Sequence, residues 1–137
     1  MGTFLIAYVT AAIAFLCIDA VWLRIMGDVL YRPLLGDILL ERFRFAPAVL
    51  FYLIYIAGVV KFAVLPSLGS DRWITALFNG GLLGLVAYGT YDLTNQATLK
   101  VWPSAITIAD LCWGTVLTAV AALLARSMTN FILRALV

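Results

Sequence analysis

Four stretches of the chain, residues 4–26, 45–65, 73–95 and 104–125, are apolar almost throughout. Each reaches the roughly 20 residues that an α-helix needs to cross about 30 Å of hydrocarbon. Backbone N–H and C=O groups left unpaired in lipid are too costly to tolerate, so spans this few in number can only be helices. The sequence predicts an all-α protein, a single domain over 1–137 built as a four-helix transmembrane bundle in membrane lipid. Composition agrees, since 65% of the 137 residues are apolar and 12% charged, outside the range of soluble domains. The first run is expected to persist as a span. It lacks the basic leader of a secretory signal, carries Asp19, and is longer than a signal's apolar region.

Several function classes drop out on charge and residue type. The net charge of +2 is scattered and forms no basic stripe that could neutralise a row of phosphates, which excludes a nucleic-acid partner. Histidine is absent, so the commonest zinc ligand and the usual neutral-pH proton shuttle are both missing. Cys17 and Cys112 fall inside apolar runs, where a free cysteine behaves as a small hydrophobe. No metal site is expected, and no motif names a cofactor.

The connections are unequal. PSLGSDR, 66–72, carries the residues of a tight turn, and QATLKVWP, 96–103, ends on a proline suited to the first turn of a helix. Consecutive spans two, three and four should therefore pair antiparallel. Residues 27–44 are longer and mix Leu34, Leu35, Ile38 and Leu39 with Asp37, Glu41, Arg42 and Arg44. That pattern fits an amphipathic segment in the membrane interface, with an ordinary polar loop as the alternative. Let face A hold both termini and 66–72, and face B the other two loops. Arg24, Arg32, Arg42, Arg44 and Lys100 then oppose Lys61, Arg72, Arg126 and Arg134, a near balance that fixes no orientation. Lys61 is expected to snorkel to face A, and Arg24 and Lys100 outward at face B.

Acidic residues inside the spans are the most informative feature. Counted at about 1.5 Å per residue, Asp19 and Asp110 lie about 10 Å inside face B and Asp92 about 5 Å inside it. Tyr52 on the second span falls at a similar depth, with Tyr55 one turn deeper. On the third span Gly81, Gly84, Tyr88, Tyr91, Asp92 and Asn95 follow three- and four-residue steps, which sets small and polar groups on one inward face. The first and fourth spans both carry Asp-x-x-Trp, in CIDAVWL and IADLCWG, placing Asp19 with Trp22 and Asp110 with Trp113 nearly one turn apart.

A carboxylate in hydrocarbon must be protonated, paired or open to water. Asp19, Asp92, Asp110, Tyr52, Tyr88, Asn95, Trp22 and Trp113 therefore form the candidate site. It would be a pocket binding a proton, a cation or the polar head of a small amphipathic ligand, and whether it catalyses a reaction stays open. Two alternatives stand beside it. The cluster can serve helix packing alone, or the chain can be an accessory subunit that meets membrane-protein partners.

The stretches FYLIYIAGVVKFAVLP, GLVAYGTYDLTNQATLK and DLCWGTVLTAVAA resemble those of a widespread bacterial family of small four-span membrane proteins known only as a domain of unknown function. The resemblance covers nearly the whole chain, including the Asp-x-x-Trp of span one and the Asp-x-x-Trp-Gly of span four. It implies a bacterial inner-membrane setting and the four-span fold, and it supplies no reaction.

Overall fold

The computed structural model describes residues 2–69 and 72–136, which are helical along nearly their whole length and include no strand. Six α-helices follow one another: α1 (Gly2–Met26), α2 (Arg32–Leu35), α3 (Phe45–Val59), α4 (Leu65–Leu68), α5 (Trp73–Thr98) and α6 (Ser104–Ala135). Two wide π turns, Gly27–Tyr31 and Val60–Val64, fuse α1 to α2 and α3 to α4. Four continuous helices result, Gly2–Leu35, Phe45–Leu68, Trp73–Thr98 and Ser104–Ala135, all long and apolar enough to cross a membrane. The chain is a multi-pass membrane protein. Of the turn expected at 66–72, Ser70 and Asp71 lie outside the described residues.

Both π turns have the same cause in sequence. Proline lacks an N–H, and its ring collides with the carbonyl four residues back in a regular helix. Pro33 and Pro66 each sit two residues past a π turn, so the carbonyls they would strike, those of Val29 and Phe62, lie within the widened segments. There Arg32 N–H bonds Gly27 O and Leu65 N–H bonds Val60 O, each five residues back. The helix therefore passes each proline without breaking. The first helix thus runs past its expected end at Met26. The helix continues to Leu35, a 3-10 turn follows at Gly36–Ile38, and only 39–44 is irregular.

At the centre of the bundle stands α6, which packs most extensively against α5 and next against α1. Small residues permit the first contact, as they do where no hydrophobic force drives helices together in lipid. A methyl group added to Gly84 would stand 2.0 Å from Gly114 O, and one added to Gly114 would stand 2.2 Å from the Tyr88 ring. The Tyr88 ring thus packs directly against the glycine of the facing helix. Against α1, the Thr10 hydroxyl meets Thr129 Oγ1 at 3.0 Å. This packing carries the last helix past the predicted end at residue 125, since Thr129 is buried and Arg126 Nε donates to Ser67 O at 3.1 Å.

The second span joins the bundle unevenly. α3 packs against α1, with Tyr8 donating to Leu53 O at 3.0 Å and Phe15 meeting the rings of Tyr52 and Tyr55 edge-on. Its continuation through 60–64 packs against α1, α5 and α6, where Val60, Ala63 and Val64 are buried. Lys61 in that turn points outward and is exposed.

Candidate functional site: an acid and aromatic chamber

Where α3 leaves α5 and α6, the helices enclose a cavity of about 680 Å³. Asp19, Asp92 and Asp110 all line it, although they come from three helices and are far apart in sequence. Tyr52, Tyr88, Trp22 and Trp113 line it as well. Asn95, one turn past Asp92 toward the helix end, is half-buried and stands outside the wall.

Antiparallel packing explains how the repeated Asp-x-x-Trp works. As α1 rises from Thr10 to Asp19, its neighbour on α6 falls from Thr129 to Trp113. One helix therefore carries its indole above its acid and the other below, and each acid comes level with the opposite indole. Trp113 Nε1 donates to Asp19 Oδ1 at 3.2 Å, and Tyr52 donates to the second oxygen of Asp19 at 2.7 Å. On the other side the relay has one more member. Trp22 Nε1 donates to the Tyr31 hydroxyl at 3.1 Å, and Tyr31 donates to Asp110 Oδ1. The two indoles stack between these bonds.

Tyr31 is the site residue that the sequence reading missed. It falls in the stretch 27–44 expected as a connection, whereas the first π turn carries the helix on and brings its hydroxyl to Asp110. Pro33, two residues later, is the signal that could have found it.

Asp92 differs from the other two acids. It has 0% exposure, and neither carboxylate oxygen has a hydrogen-bond partner among the described residues. Arg24 and Lys100 are exposed, and neither lines the cavity. Among the described residues the one ion pair joins Asp28 to Arg32 at 3.3 Å on the outer surface, so it neutralises none of the three acids. No group of three His, Cys, Asp or Glu among those residues is placed to hold a metal ion. The chamber reaches the outer surface beside Phe51 on α3 and Tyr91 on α5, which line it while remaining 45% and 62% exposed. Tyr91 is held there edge-on by Trp102, with ring centres 5.8 Å apart, and Trp102 Nε1 donates to Thr107 Oγ1 at 3.0 Å.

No curated protein and no solved structure matches the chain significantly. Residues 4–127 match the family described as "Predicted membrane protein (DUF2177)", a match that includes every residue of the acid and aromatic cluster. With four membrane-crossing helices and nearly its whole length covered by that match, the chain belongs to this family of membrane proteins of unknown function.

Proposed function

We propose that the chain is a bacterial inner-membrane protein whose chamber binds the polar head of a small amphipathic ligand. The observation that carries this reading is Asp92. A buried polar group without a partner costs about 1–3 kcal/mol, more when charged, and a fold does not retain one without a use. Here the unpartnered group stands on the wall of a cavity large enough for a small ligand, inside the usual range for such sites. Asp19 accepts from a phenol and an indole on its two oxygens and Asp110 from a phenol on Oδ1, so they brace the chamber and Asp92, which accepts from no donor, is left to meet the guest. A cluster serving helix packing alone, or an accessory subunit in which these residues only hold helices together, would have no reason to leave a cavity beside an unsatisfied acid.

The test is direct. Protein extracted from native membranes and examined by native mass spectrometry is expected to carry a bound small molecule. Ala87→Trp, which fills the cavity from α5, should release it while the helices remain formed. Wild-type protein that emerges free of any guest, with the cavity collapsed in an experimental structure, would overturn the reading.

A further inference from the structure

The chemistry of the chamber wall narrows the guest further. This step rests on the pocket reading above and deepens it. Among the described residues three carboxylates line the cavity and no Lys or Arg does, which disfavours a phosphate or carboxylate head, because like charges brought together away from water repel strongly. The donors of the wall are also mostly committed. The indole N–H of Trp22 and Trp113 and the hydroxyls of Tyr31 and Tyr52 all point into the acid cluster. Thr90 and Thr94 return their hydroxyl protons to Val86 O and Thr90 O within α5. The wall therefore offers a guest chiefly acceptors, the Asp92 carboxylate that no donor serves and the lone pairs of the phenols, beside the hydroxyls of Tyr88 and Tyr91.

Seven of the fourteen lining residues are aromatic. An inorganic ion such as calcium takes six to eight oxygen ligands and gains little from rings. An organic cation gains from both, through hydrogen bonds to the carboxylate and attraction to ring faces. From these observations we infer that the chamber binds a primary ammonium group carried on an apolar chain, with its N–H donors satisfying Asp92.

The experiment uses the full chain in nanodiscs of zwitterionic lipid, with Trp73→Phe introduced so that the indole emission read on titration comes from Trp22, Trp102 and Trp113. Dodecylamine, dodecyltrimethylammonium, dodecanol and dodecanoate are titrated at pH 7 against protein-free discs. Bound stoichiometry is read by native mass spectrometry. Dodecylamine is expected to bind at least tenfold more tightly than each of the others. Asp92→Asn should weaken it at least tenfold with helix content unchanged by circular dichroism, and Asp92→Glu should preserve the order of the four probes. Dodecanol or dodecyltrimethylammonium binding as tightly as dodecylamine would overturn the ammonium assignment while leaving the pocket in place. No probe binding by either readout would remove the pocket as well.

Discussion

The indole rings of Trp22 and Trp113 lie stacked across the boundary of α1 and α6, with centres 4.2 Å apart and planes 6° from parallel. Each ring also sends its N–H toward the other helix's acid, Trp113 directly and Trp22 through Tyr31. Replacing both indoles with alanine is expected to show a coupling of about 0.5–1.5 kcal/mol from the aromatic pair. The individual hydrogen bonds should each contribute under about 1 kcal/mol, as is usual within membranes. A double-mutant cycle on reversible unfolding in detergent checks both figures, and additive single losses would contradict the stacking.

Close approach of α5 to α6 gives a prediction of rank. Gly84→Ala sets a methyl group against backbone that cannot move aside, and should destabilise by about 1–3 kcal/mol as the helices part. Gly81→Ala meets its nearest neighbour at 3.6 Å, an ordinary contact, and should be nearly neutral. Thermal midpoints of the two variants, compared under one condition, decide the order.

The acids should respond with opposite sign. Asp92→Leu removes a buried carboxylate that nothing pairs, and is expected to raise stability by about 1–3 kcal/mol. Asp19→Leu strands the Tyr52 hydroxyl and the Trp113 N–H, and should lower stability by a similar amount. Equal losses from both, measured as thermal midpoints in one detergent, would mean that Asp92 has a partner after all.

Pro33 and Tyr31 should act as one unit. Pro33→Ala removes the reason for the wide turn, lets the helix close to its regular pitch, and rotates Tyr31 off Asp110. Tyr31→Phe deletes the same bond directly. Each should weaken guest binding to a similar extent, and the double variant should be no worse than either alone. Additive losses of affinity would separate the two residues.

How far the sequence could be read depended on which physical rule governed each residue. The four helices follow from apolar length alone, and the meeting of Asp19, Asp92 and Asp110 at one cavity follows from counting depth along straight spans. Tyr31 escaped because its position depends on a change of pitch ahead of a proline, which a count at constant rise does not contain. The last helix ran on past Arg126 because packing against Thr10 and Ser67 outweighed the fall in hydropathy there. The special status of Asp92 was invisible for another reason. All three acids look alike in sequence, and only the direction of neighbouring phenols and indoles tells them apart.

If the chamber holds the proposed amphipathic guest, the opening beside Phe51 and Tyr91 changes what affinity means. A guest that arrives sideways, with its tail already dissolved in the bilayer, is drawn from a two-dimensional reservoir far more concentrated than the surrounding water. Selection then happens twice, first by partition into the leaflet and then at the acid. A weak intrinsic grip can thereby keep the chamber full.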